Sequence, residues 1–304
     1  MRIRIGTRGS KLALWQANHV KDLLLESGHD SELVIIETLG DQIQNIPLNE
    51  IGGRGLFTKA LDDALLEERI DIAVHSAKDL PGKLHDAISL AAILKREDPR
   101  DVLLAMTPEV HFENLSRSFR IGTSSLRRGA FIRHYFPTVE VLNLRGNLDT
   151  RIRKLETGEY DGIMLAYAGV KRLGMERYVV QKLAPETFTP AAGQGAVAIT
   201  CLGKENKMQA ISQNLTHAGT QIAVESERSY LSTMEGGCNL PVFAHARVFG
   251  ETVHLMAGIA STDGSQVLRH QTEGPIGQAS QLGIQLATMI LQMGGEAIRN
   301  GIQN

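Results

Sequence analysis

Cysteine is nearly absent from this 304-residue chain, which has two, Cys201 and Cys238, 37 positions apart. Two such residues do not make a disulfide framework, and neither has the paired Cys or His spacing of a zinc site, so no metal is expected. Long apolar runs are missing as well, none approaching the roughly 18 residues of a membrane span. The opening MRIRIGTRGSKLALWQ has no apolar core followed by small residues. No signal peptide is expected, and the reading is a soluble, cytoplasmic protein without a membrane partner. Aromatic residues reach only 5%, with one tryptophan, and the formal net charge is −2. Both values argue against a nucleic-acid binder.

Hydrophobic residues at 42% and charged residues at 22% are globular values, and the length suits two or three domains of about 150 residues or fewer. The near-neutral total hides an uneven distribution. From Arg117 to Arg153 there are eight arginines, no lysine, and only Glu140 and Asp149 against them, a local net charge of +6. RIRIG reads as a buried strand, TRGS as a turn, and KLALWQANHVKDLLLESG as an amphipathic helix with Ser10 as N-cap and Gly28 beyond its end. Strands and helices then alternate through the first hundred residues, the pattern of a mostly parallel, helix-covered sheet. A second α/β block begins near Asp101 and echoes the first. RIGT occurs at Arg4 to Thr7 and again at Arg120 to Thr123, and RIDIAVHSAKDL and EYDGIMLAYAGV form a looser pair. Two similar lobes imply a cleft between them, with ligands at the carboxyl ends of the strands. After AAGQGAVAITC the pattern changes to a helix, an antiparallel meander with DG at one turn, and a last apolar helix over residues 276–293, read as a smaller α+β domain.

Each RIGT turn leads into a helix N-terminus, where free N–H groups and the positive dipole end favour anions. Arg8 and Ser10 flank the first turn. Ser124, Ser125, Arg127 and Arg128 occupy the second, and LRGNLDTR adds Arg145 and Arg151. A planar guanidinium forks onto a carboxylate or phosphate, so an anionic ligand is expected here, against the alternative of a solvated basic face. VHSAKDLP places His75, Ser76, Lys78 and Asp79 just past a strand at the cleft edge, where the aspartate suits acid/base work or the stabilisation of a cation, unless it only caps a helix. Residues 39–57 are polar, glycine-rich and aperiodic, and read as a lid or as plain disorder. Cys201 ends an apolar β-branched run and reads as core, whereas Cys238 in EGGCNLP sits among turn residues and demands another explanation.

These segments together resemble the porphobilinogen deaminase (hydroxymethylbilane synthase) family along essentially the whole chain. GTRGSKLALWQ, GGRGLFTK, VHSAKDLP, IGTSSLRR, LNLRGNLDTR, AGVKRLG, AAGQGA and EGGC occur in the family's order and spacing. The resemblance implies two α/β lobes like those of periplasmic binding proteins, residues 1–97 with 195–216 and residues 98–194, followed by an α+β domain over 217–304. It implies a dipyrromethane cofactor held through a thioether by Cys238, priming the stepwise condensation of four porphobilinogen molecules by a monomer. On it, Asp79 and Lys78 are catalytic. Ser76, Lys78, Asp79, Ser125, Arg127, Arg128 and Arg145 contact the cofactor. Arg8, Ser10, Phe57, Arg145, Arg151, Arg172 and Gln194 contact substrate. The arginines are expected to serve ligand carboxylates rather than to hold the fold.

Some positions depart from the family's pattern. Glu50 stands where relatives often have lysine, Arg54 replaces the lysine of GGKGLF, and CNLPVFAHA differs from the commoner CQVPIGAYA, with His245 read as structural. A non-catalytic two-lobed anion-binding protein would share the lobes and arginines but would not need Cys238.

Overall fold

The computed structural model of the chain describes residues 2–38, 58–115, 119–203, 206–235 and 240–303. The expectations for the 39–57 segment, including Phe57, Glu50 and Arg54, and for Cys238 fall outside the described residues.

Strand β1 (Ile3–Thr7) buries Ile3 and Ile5, and α1 (Lys11–Glu26) starts on Ser10, whose side chain accepts from the Ala13 N–H at 3.3 Å. There follow β2 (Ser31–Ile35), α2 (Lys59–Leu66), β3 (Ile72–Ser76), a 3-10 turn at Ala77–Asp79, and β4 (Ile88–Ile93). The chain then crosses into a second unit. It contains β5 (Asp101–Leu104), β6 (Arg120–Gly122), α3 (Leu126–Tyr135), β7 (Glu140–Leu142), α4 (Leu148–Glu156), β8 (Gly162–Ala166), α5 (Tyr167–Arg172) and β9 (Val179–Lys182). It returns through β10 (Val197–Leu202) and α6 (Asn206–Gln213).

The strand orders are β2-β1-β3-β10-β4 and β7-β6-β8-β5-β9. In each sheet the first three strands are parallel and the fourth runs antiparallel to both neighbours. That fourth strand is the one laid down on crossing: β5 is the first strand after the chain leaves the first sheet, and β10 the first after it comes back. The lobes are thus joined by two segments, residues 94–100 and 183–196, lying side by side.

The echo seen in sequence is structural. Arg4 donates through its backbone N–H, Nε and guanidinium to Asp71, and Arg120 does the same to Asp161. A Cβ at Gly6 would collide with Ile70 and one at Gly122 with Tyr160, so each glycine admits the side chain that stands two residues before the neighbouring strand.

The third domain has α7 (Ala218–Thr233), the antiparallel meander β11 (Val242–Phe249), β12 (Thr252–Ala260) and β13 (Val267–Pro275), then α8 (Ala279–Ile290) and α9 (Glu296–Gln303). Tyr230, Leu286 and Ile290 from the helices pack with Val253, Leu255 and Ile259 from the sheet. The final helix differs from the expected single span over 276–293. It ends at Ile290, turns through Leu291–Gly295, where Gly294 has φ +108°, and resumes as α9. Two α/β lobes with a smaller α+β domain are therefore the architecture.

Candidate active site

The carboxyl ends of β1, β3 and β6 carry most of the candidate residues. Ser76 closes β3, and its hydroxyl lies 2.9 Å from the Gln16 side-chain nitrogen, which fastens the strand end to α1. The 3-10 turn then presents Lys78 and Asp79, and the Asp79 carboxylate lies 4.0 Å from the Arg8 guanidinium. Across the cleft, Ser125 caps α3 by accepting from the Arg128 N–H, and Asn147 caps α4 by accepting from Thr150 N–H at 3.0 Å. The second cap places Arg151 in the first turn of α4, where it donates to the Gly146 carbonyl at 2.8 Å and to Ser124 at 3.4 Å.

Arg151 is half-buried, and burial pushes its guanidinium down to about 10, helped by Arg128 and Arg145 and opposed by Asp79. Arg145 is also lowered by burial. Arg151 therefore sits among like charges with Asp79 opposing them, an arrangement suited to receiving carboxylates.

Arg127 and Arg128 are placed differently from the expectation that the arginines face a ligand. Both are buried, and both fork onto Asp101, the fully buried first residue of β5. Arg127 reaches Asp101 at 2.6 Å and the Thr189 carbonyl at 2.8 Å, while Arg128 reaches Asp101, the Met164 carbonyl and Gln194. The two cations hold the Asp101 carboxyl well below the usual carboxylate range despite its burial. Asp101→Asn strands two buried guanidinium groups, so we expect it to lose about 3–5 kcal/mol of folding stability by denaturant titration at pH 7. Because the folded pKa is depressed, this contribution is present above about pH 4 and is lost as pH falls below it. Equal stability of variant and wild type would contradict the pairing.

Gln194 ties this cluster to the 3-10 turn at Ala77–Asp79. Its Nε2 donates to the Pro99 carbonyl at 2.6 Å and to Asp101 at 2.9 Å, and its Oε1 accepts from Arg128 at 3.3 Å and from Lys78 at 3.4 Å. Flanking Gly193 has φ +73°, and a Cβ there would meet the Ala77 and Lys78 backbone at about 3.0 Å, so only glycine lets the returning segment lie against the turn. Burial beside Arg128 pushes the Lys78 amine down to about 8. At pH 8 about half of Lys78 is then neutral, against under about 1% of an ordinary lysine. A limiting acylating reagent at that pH is expected to label Lys78 ahead of the other lysines, as read by peptide mapping. Labelling at the average rate would refute the shift.

Arg172 stands apart from the Asp79 group. It donates to the Gly195 carbonyl at 2.8 Å and lies over the Trp15 ring, 5.3 Å from its centre, bridging α5 of one lobe to α1 of the other. Lys11 pairs with Asp149 at 3.1 Å along the same seam.

The sequence reading missed two carboxylates that organise the region, Asp101 and Glu227. Glu227 on α7 is fully buried, receives two bonds of 2.7 Å from Arg96, and accepts from the Gly193 and Ala246 N–H groups at 2.7 Å. Buried His245 lies 3.6 Å from it, and although burial pushes the Glu227 carboxyl up, the charges and hydrogen bonds of Arg96 and His245 together lower it to about 2. A signal was available at Asp101, which borders the apolar run VLLAM where a charge needs a partner, whereas Glu227 lies in the polar stretch ESERS and carries no such signal.

Residues 3–210 match the family model described as "Porphobilinogen deaminase, dipyromethane cofactor binding domain", and residues 221–292 match "Porphobilinogen deaminase, C-terminal domain". The chain belongs to the porphobilinogen deaminase family. It is 45% identical to the porphobilinogen deaminase of Cytophaga hutchinsonii over 97% of this chain and 95% of that one. It is 44% identical to that of Trichlorobacter lovleyi, over 98% and 95%, and 43% identical to that of Geobacter sulfurreducens, over 98% and 93%. Among solved structures, a periplasmic substrate-binding protein of an ABC transporter from Coxiella burnetii aligns over 74% of this chain and 96% of that chain at 10% identity, with a TM-score of 0.45. The porphobilinogen deaminase cofactor-binding match spans every described candidate residue from Arg8 to Gln194. Among the described residues, no group of acids, histidines or cysteines has the arrangement to hold a metal ion, and no helix is long and apolar enough to cross a membrane.

Proposed function

We propose that the chain joins four porphobilinogen molecules head to tail into hydroxymethylbilane, releasing one ammonia per unit joined, as a cytoplasmic monomer serving tetrapyrrole biosynthesis. The observation that carries this reading is the gathering of Arg8, Arg145 and Arg151 around the partly exposed Asp79. A dipyrromethane with two carboxylates per ring fits the donor set: Arg145, Arg151, Ser125 and the N-terminal turns of α3 and α4 take its acid groups, and Cys238 holds it through sulfur. The bound group supplies a pyrrole carbon to which the incoming unit is joined.

The chain's own residues do the rest. Arg8 and Ser10 at the start of α1 receive the carboxylates of the arriving porphobilinogen, aided by the free N–H groups of that helix end. Asp79 stays beside the pyrrole nitrogens, stabilises the positive charge that develops as ammonia leaves, and accepts the proton released when the new carbon–carbon bond is made. Lys78, held on Gln194, pairs with a ligand carboxylate and keeps its proton close to that transfer. Arg127 and Arg128 reach the cofactor through the Asp101 cluster, which sets the end of α3. Arg172 works at the lobe seam as substrate enters. The lobes are taken as residues 1–97 with 195–216 and residues 98–194, with the third domain over 217–304, so that the cleft lies between two bodies joined by residues 94–100 and 183–196.

Incubation with porphobilinogen tests the reading. We expect one ammonia per porphobilinogen consumed and four porphobilinogen molecules per linear tetrapyrrole. Binding of porphobilinogen without its consumption would favour instead the non-catalytic anion-binding protein.

A further inference from the structure

Arg228 is a partly buried arginine on α7, and among the described residues no carboxylate lies within ion-pair distance of it. Burial lowers its guanidinium from the ordinary arginine value, and no acid opposes the shift. An arginine held out of water without a counter-charge is costly, so what it touches matters. One of its terminal nitrogens donates to the Pro81 carbonyl at 2.9 Å and to the Gly82 carbonyl at 3.2 Å. Pro81 is two residues past Asp79. The loop also rests directly on the last turn of the same helix: a Cβ at Gly82 would meet Ser232 Cα at 3.0 Å and its backbone nitrogen at 3.2 Å. Helix α7 ends at Thr233, five residues before Cys238 in the sequence.

We propose that Arg228 is a positioning residue, which by holding the carbonyls of Pro81 and Gly82 seats the Lys78–Asp79 turn on the third domain. The inference rests on the role given above to Asp79. An aspartate that acts at every joining step needs a fixed position, and α7 holds its loop at two places, Arg228 and Ser232. Displacement of a reacting group by about 1 Å costs on the order of 10² in rate.

Three variants, Arg228→Leu, Arg228→Lys and Gly82→Ala, are compared with wild type well below their unfolding temperatures. In Arg228→Leu we expect amide exchange at residues 77–82 to quicken at least about tenfold and kcat to fall about 10²-fold, with KM within about threefold. Lysine, which can still reach one carbonyl, restores part of kcat. Gly82→Ala, which presses the loop off the helix without touching a charge, lowers kcat about tenfold and decides the matter if Arg228→Leu does not fold. In an Asp79→Asn background, Arg228→Leu adds less than about threefold, since it acts through that carboxylate. Unchanged exchange, a kcat within threefold of wild type, or full multiplication of the two losses would overturn the proposal. If the wild type releases no ammonia from porphobilinogen, the reading of the function fails, while the exchange rates still decide whether Arg228 seats the loop.

Discussion

Cys238→Ser is expected to give a folded chain of unmodified mass that forms no detectable hydroxymethylbilane. A thioether needs the thiolate, which is both the better nucleophile and the more stable attachment, and serine at neutral pH offers neither. The third-domain core is built from Tyr230, Met234, Leu240, Leu286 and their neighbours, so the variant still folds, while loss of the cofactor carboxylates from the cationic cleft lowers its unfolding midpoint below that of wild type. The other cysteine provides the control. Cys201 is fully buried in β10, so Cys201→Ser loses stability through its core and keeps the adduct, whereas Cys238→Ser loses the adduct. Peptide mapping that finds the pyrrole on any residue but Cys238 would defeat the assignment.

Asp79→Asn should lower single-turnover condensation at saturating porphobilinogen by about 10²–10⁴, or about 3–5 kcal/mol of transition-state stabilisation. The amide keeps the size and the hydrogen bonds of the side chain but removes the charge that faces Arg8 at 4.0 Å and that opposes the cation crowding at Arg151. Substrate carboxylates still find their arginines, so binding survives, and the loss falls on kcat. Asp79→Glu retains the charge with its carboxylate displaced and should keep more activity than the amide. Near-normal condensation in Asp79→Asn would reduce the aspartate to a structural cap of the 3-10 turn.

The parts of this molecule that were legible in sequence are those set by neighbours in the chain. Ser10 and Ser125 cap helices because a hydroxyl two or three residues before an N–H is a local arrangement, and the RIGT echo marked two strands that indeed hold the same place in two sheets. The exchange of strands was not legible. DVLL and VAITCL are both apolar runs, and nothing in either says that each lies antiparallel between strands from the far side of a crossing. The cluster of arginines was visible, but its division was not: Arg127 and Arg128 turn inward because Asp101, 26 residues earlier than the first, is buried where their side chains meet. Arg145 and Arg151 carry the same chemistry without that partner. Glu227 and Arg228 show the same limit, since adjacent charges on one helix pair with segments more than a hundred residues away.

The central claim is that this chain carries its own covalent primer, and the intact mass of the purified protein tests it most directly. The account predicts a mass above that of the sequence by one dipyrromethane, lost in Cys238→Ser and increased in steps when porphobilinogen is added in limiting amounts. A wild-type mass equal to that of the unmodified chain, unchanged by porphobilinogen, would contradict it.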